Sequence, residues 1–138
     1  MYLDAVGQKC EEVESMQIKV MGRSDVPRLQ EYLASTRENR ALGAFDTVAA
    51  LTRALGAGAG FLAMEDDTVV GSMLVEMGMF GVIRREHARD DEVFDALLAK
   101  VEEACREAGI TRIQNLADDG TRQREQMMAR GFTTVGGA

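Results

Sequence analysis

Residues 95–108 carry the clearest helical pattern in the chain, and their surroundings restrict the fold. Ala96, Leu97, Val101 and Ala104 make one apolar face, Leu98 and Cys105 flank it, and Gly109 supplies a C-terminal cap. Strand patterns lie on both sides. Residues 61–64 and 68–75, joined by the polar turn Glu65-Asp66-Asp67, read as an antiparallel hairpin. Another strand follows Gly78 over about 80–85, and residues 111–116 form one beyond the helix. The segment Arg89-Asp90-Asp91-Glu92-Val93-Phe94, just ahead of the helix, places three carboxylates where a strand hands over to a helix start.

The rest of the chain extends this mixed pattern. Residues 1–15 have mixed polarity and read as an N-terminal arm outside the main unit, which spans 16–138. Residues 16–21 alternate apolar and polar, the period of a half-buried strand. Ser24 or Asp25 then caps a helix that tolerates Pro27 in its first turn and presents Val26, Leu29, Tyr32 and Leu33 as its stripe. A second helix is expected over about 46–55, with Phe45 as its staple. The run Gly56-Ala57-Gly58-Ala59-Gly60 follows a helix and precedes a strand. A phosphate-binding glycine loop needs the reverse order, so this run reads as a connector. Residues 123–130 form a short helix stopped by Gly131, and 132–135 begin a last strand.

Composition excludes several function classes. The chain of 138 residues fits one domain with a sizeable core. A net charge of −7 argues against nucleic-acid binding, which calls for a basic face. No apolar run approaches the roughly 20 residues that span a bilayer. The start Met1-Tyr2-Leu3-Asp4 lacks a secretory pattern, so a cytoplasmic location is expected. Cys10 and Cys105 lack paired spacing and read as free thiols; with the lone His87 they supply too few ligands for zinc, so no metal is expected.

The order β-α-α-β-β-β-α-β-α-β resembles the GNAT acyltransferase superfamily. Four strings carry the resemblance: Ile18-Lys19-Val20 with Ser24-Asp25-Val26-Pro27-Arg28-Leu29; residues 61–71, including Gly71; Ala96-Leu97-Leu98 through Arg106-Glu107-Ala108-Gly109-Ile110; and Met128-Ala129-Arg130-Gly131-Phe132. It covers about residues 16–136. The resemblance implies an α+β fold, a central, mostly antiparallel twisted sheet of about six strands with helices on both faces. It implies acyl transfer from acetyl-CoA to a small-molecule or protein amine. The family's pantetheine arm pairs with the splayed end of the fourth strand, here the region of Val82 and Arg84. The family's diphosphate loop, Arg/Gln-x-x-Gly-x-Gly/Ala, would place its basic residue on Arg89 and its glycines on Glu92 and Phe94. Shifted by one, the glycines fall on Asp91 and Val93, and neither register recovers a glycine.

These substitutions also have the wrong sign. A carboxylate about 4 Å from a phosphate charge costs on the order of 1 kcal/mol in water and about 4 at an effective dielectric of 20. At a helix start the same acids stabilise by roughly 0.3–1 kcal/mol each through the dipole. Arg84, Arg85 and Arg89 would partly offset the repulsion. The tyrosine that the family often uses to protonate the leaving thiolate is replaced by Met127, which has no proton to give. Candidate general bases are Glu76 at the end of the third strand and Glu86 and His87 after the fourth. Met77, Met79, Met127 and Met128 would add soft apolar surface or core around the same cleft.

Three functions compete. One is an acetyl-CoA-dependent N-acyltransferase with an atypical cofactor site. A second is a non-catalytic pseudoenzyme of the same fold with an assembly role, through a protein partner or homo-oligomer. Small proteins of this fold also resemble ones encoded among tailed-phage structural genes, which would place it in a virion. The third is an acyltransferase-like toxin or regulator.

Overall fold

The computed structural model describes residues 16–36, 47–115, 122–129 and 131. The expected arm at 1–15, the staple Phe45 with Asp46, and the last strand at 132–135 lie outside them. Strand β1 (Met16–Val20) leads through a 3-10 turn (Arg23–Asp25) into helix α1 (Val26–Ser35). Helix α2 (Val48–Gly56) is followed by the strands β2 (Gly58–Glu65), β3 (Thr68–Met77) and β4 (Gly81–Ala88). Helix α3 (Asp91–Glu107), strand β5 (Ile113–Asn115) and helix α4 (Arg122–Ala129) complete the described chain.

The five described strands form one sheet in the order β1-β2-β3-β4-β5. The first three pairings are antiparallel, and β4 pairs with β5 in parallel across the α3 crossover. Alternation in the strands builds two cores. Phe61, Ala63, Met73, Val75 and Ile83 face α3, together with Met127 of α4. Leu62, Met64 and Leu74 face α1 and α2. The helices therefore cover both faces, as expected. Fully burying a side chain such as Leu97 or Leu29 contributes about 1.5–3 kcal/mol, so each face is a substantial source of stability.

Local chemistry corrected several boundaries. Asp25 does not cap α1: its carboxylate turns back to the Gly22 N–H at 2.8 Å and to the Lys19 ammonium at 2.7 Å. Those partners, the Lys19 bond foremost, lower its pKa. Helix α2 is capped by Thr47, whose hydroxyl accepts the Ala50 N–H at 3.1 Å. The glycine run is only partly a connector, because Gly58 to Gly60 already belong to β2. A Cβ at Gly58 would stand 1.9 Å from the Val75 carbonyl oxygen, so β2 and β3 approach there as only glycine permits.

The largest correction concerns α3, which begins at Asp91 rather than at residue 95. Its inner face is Val93, Phe94, Leu97, Leu98, Val101 and Cys105, with Ala96 and Ala104 only half-buried. Burial pushes the Cys105 thiol up, as suits an inert core thiol. Strand β4 is also longer than expected, so Glu86 and His87 lie on it rather than after it. Among the described residues no helix is long and apolar enough to cross a membrane.

The Gly58 contact predicts a sharp contrast. Gly58→Ala should lower stability by about 3 kcal/mol through overpacking against backbone. Gly56→Ala, at a helix position with nothing within 4 Å, should be neutral or stabilise by about 0.5–1 kcal/mol. Urea unfolding midpoints of the two variants provide the check.

Candidate functional site

The site is organised by an irregularity in β4. Ser72 pairs with His87 and Leu74 with Arg84, so the two residues Arg85 and Glu86 face only Met73. Arg85 takes the strain of this bulge at a left-handed φ of 52°. The buried Ser72 hydroxyl donates to the Arg85 carbonyl at 3.0 Å and fixes the kink. In a regular strand Arg84 and Glu86 would share a face. The extra residue instead sends Arg84 and His87 to the α1 side and Glu86 to the α4 side, as their partners show.

On the α1 side, the Tyr32 hydroxyl lies 2.6 Å from His87 Nδ1, with the two rings edge to face at 5.5 Å. Glu76 Oε2 and Arg84 Nε stand 3.4 Å apart, an ion pair not aligned for a hydrogen bond. On the other side, Asn115 Nδ2 donates to Glu86 Oε1 and also lies 3.0 Å from the Met127 sulfur. Burial raises the Glu86 pKa above the ordinary carboxylate value, and the Asn115 bond offsets this only in part. Glu86 Oε2 is buried and has no hydrogen-bond partner among the described residues.

Glu86 sits at a fork. The pairing of β4 with β5 covers Gly81, Val82 and Ile83 against Ile113, Gln114 and Asn115. Beyond it β4 runs on to Ala88, paired with β3 on one edge and, among the described residues, with no strand on the other. Val82 is thus inside the paired part and Arg84 just past it. The candidate bases expected at one cleft are divided by the sheet: Glu86 is at the fork, while Glu76 and His87 belong to the α1 face.

The helix start ahead of α3 departs from a diphosphate site. Asp90 is its N-cap, and the Asp90 carboxylate accepts the Val93 N–H at 3.0 Å. Its pKa is lowered, chiefly by that bond, with Arg89 and the Glu92 N–H adding to it. Arg89 is engaged by Glu65 at 2.8 Å and by Asp90 at 3.0 Å. Asp91 and Glu92 are exposed on the first turn. Val93 and Phe94, placed in the loop by one register or the other, are each 1% exposed and belong to the core. The Val93 side chain is therefore part of the core, and the N–H that this position could offer is bonded to Asp90. Asp90 takes the Val93 and Glu92 N–H groups, and the charge there is of the wrong sign; the residues present do not fit a diphosphate.

Of the methionines, Met127 is buried beside Asn115, whereas Met79 is 88% exposed on the β3–β4 turn. Sequence reasoning missed Asn115 and Ser72 and took Tyr32 only as part of an apolar stripe. No periodicity marks Asn115; its role appears only when the crossover brings β5 beside β4. Among the described residues no group of three or more His, Cys, Asp or Glu side chains is placed to hold a metal.

Comparison with solved structures gives this architecture its class. A probable acetyltransferase from Staphylococcus epidermidis ATCC 12228 superposes with a TM-score of 0.72 at 16% identity, covering 85% of this chain and 83% of that one. An acetyltransferase of the GNAT family from Staphylococcus aureus Mu50 gives 0.67 at 19% identity, covering 83% and 82%. A predicted acetyltransferase from Clostridium acetobutylicum, solved with acetyl-CoA, gives 0.67 at 13% identity, covering 89% and 93%. The sequence itself matches no family model and no curated protein. The chain has the fold of the GNAT acetyltransferases.

The cap makes a separable prediction. Asp90→Ala should cost about 1 kcal/mol, while Asp90→Ser, which keeps an acceptor, should cost little. Because the folded pKa of Asp90 is depressed, its contribution is complete above the unfolded value near 4 and fades as pH falls through the folded one. Denaturant melts of the three proteins at neutral and acid pH would show the difference between Asp90 and Ala narrowing in acid.

Proposed function

We propose that this chain transfers an acyl group from a thioester to an amine, with Glu86 as general base at the β4–β5 fork. The observation that carries the reading is Glu86 itself, a carboxyl raised by burial and held by Asn115, with one oxygen unpartnered where the two strands part. A base is most effective when its pKa is moved towards the working pH, and burial moves a carboxyl in that direction. The acetyltransferases of like fold, one of them solved with acetyl-CoA, support a thioester as the acyl source.

The chemistry asked of the chain is modest. Among the described residues no strand pairs with β5's side of β4 past Ile83, and that edge is where a thioester carbonyl would sit as negative charge develops on its oxygen. The amine nitrogen attacks that carbon, a C–N bond forms, and the C–S bond breaks. Glu86 takes the amine proton, directly or through one water. Met127 donates no proton, so the departing thiolate is protonated from solvent. The acceptor class is an amine, small or protein-borne.

Assay of the chain with acetyl thioesters and a panel of amines, read by released thiol, tests the proposal. Glu86→Gln should lower kcat/KM by about 10²–10⁴ without loss of fold by circular dichroism. Since Glu86 must be ionised to act and its pKa is raised, kcat/KM of the native chain should fall as pH drops through that value. A Glu86→Gln variant with unchanged turnover would remove Glu86 from the mechanism.

A further inference from the structure

Met127 is a buried residue of α4 to which the proposed chemistry gives no part, yet it touches the group that holds the base. Its side chain belongs to the same packed core as Phe94 and Leu98, so its sulfur has little freedom to swing away. The Asn115 Nδ2 donates to Glu86 Oε1 and stands 3.0 Å from that sulfur. An amide nitrogen carries two hydrogens, and both of its neighbours here are acceptors. A carboxylate has only lone pairs to offer, and a thioether has no hydrogen to give. The two hydrogens are thereby allotted, and the chemistry of the neighbours sets the orientation of the amide.

The orientation matters because the two ends of the amide favour different forms of Glu86. With Nδ2 towards it, the amide bonds the carboxylate, the form a base needs. With Oδ1 towards it, the amide accepts from the protonated carboxyl and favours that form instead. Met127 discriminates between the two. Its sulfur accepts the second hydrogen in the first orientation and meets the amide oxygen, lone pair against lone pair, in the second.

Charged groups do not decide the matter. Burial and the Asn115 bond are the causes of the Glu86 shift, with no charged neighbour, the adjacent Arg85 included, among them. On β4, Arg84 pairs with Glu76 and His87 with Tyr32 on the α1 side. Helix α3 is seated on β3 by apolar residues: a Cβ on Gly71 would stand 2.6 Å from Val93 Cγ1 and 3.0 Å from Leu97 Cδ1. Its acids Asp91, Glu92 and Asp95 are exposed, as is Glu125 of α4. The buried Cys105 packs against Gly81, at the far end of β4.

We infer that Met127 is a positioning residue: its sulfur, by accepting the second Asn115 amide hydrogen, keeps that amide turned to bond the Glu86 carboxylate through Oε1. This rests on the reading of Glu86 as the general base at the fork.

NMR titration of the Glu86 side-chain carboxyl in the full chain tests the inference without needing turnover. Met127→Leu keeps the volume and removes the acceptor, a swap that cores tolerate. The Glu86 midpoint should rise by about half a pH unit or more, the scale of one hydrogen bond. Asn115→Ala should raise it too. Adding Met127→Leu to Asn115→Ala should change it no further, because the sulfur acts only through the amide. In the native chain both Nδ2 hydrogens of Asn115 should exchange slowly with solvent. A Met127→Leu midpoint within about 0.2 of a unit of the native one would overturn the inference. So would an equal rise with and without Asn115, or rapid exchange of the native amide. The expected titrations in a chain that turns over no thioester support the role of Met127 and remove the acyltransferase reading instead.

Discussion

The candidate site depends on one extra residue in β4. With Arg85 inserted opposite Met73, the strand changes the side on which every later side chain emerges. Glu86 thereby reaches Asn115 and Met127, and His87 reaches Tyr32. A strand without the bulge would send Glu86 towards α1 and His87 towards α4, exchanging their surroundings. The positive φ of Arg85 is a local cost, and the Ser72 hydroxyl bonded to its carbonyl helps to hold it. Strain is thus concentrated where the carboxyl must be aimed.

The second determinant is the competition for the start of α3. A helix N-terminus attracts whichever anion reaches it, and a covalently attached carboxylate arrives at no cost in association entropy. In this structure Asp90 holds the place through its bond to the Val93 N–H. Arg89 pairs with both Glu65 and Asp90 beside it.

Much of the architecture could be read from the chain because its signals were local. The hairpin around Glu65-Asp66-Asp67, the helix ending at Gly109 and the strand–helix opening each carry their own periodicity or cap. The start of α3 was misplaced because Val93 and Phe94 were weighed as ligand-loop positions, although their spacing to Leu97, Leu98 and Val101 already continues the buried stripe. The fork was less accessible. The bulge leaves no mark in the sequence of β4, and the bond from Asn115 to Glu86 joins residues whose proximity depends on the crossover. Glu86 could be nominated as a titratable group near the end of a strand. Its separation from Glu76 and His87 by the thickness of the sheet could not.

The seating of α3 on Gly71 also has an evolutionary consequence. Gly71 carries no side chain because Val93 and Leu97 fill the space above it. The choice at position 71 is therefore tied to the choice at position 93, its nearest neighbour, and through it to Leu97. A descendant that exchanged Val93 for glycine, the step towards an open phosphate cradle, would leave a hole over β3 that an alanine at position 71 could begin to fill. Substitutions at these two places should thus be inherited together, so that this pair records whether a lineage keeps the helix start for itself or yields it to a ligand.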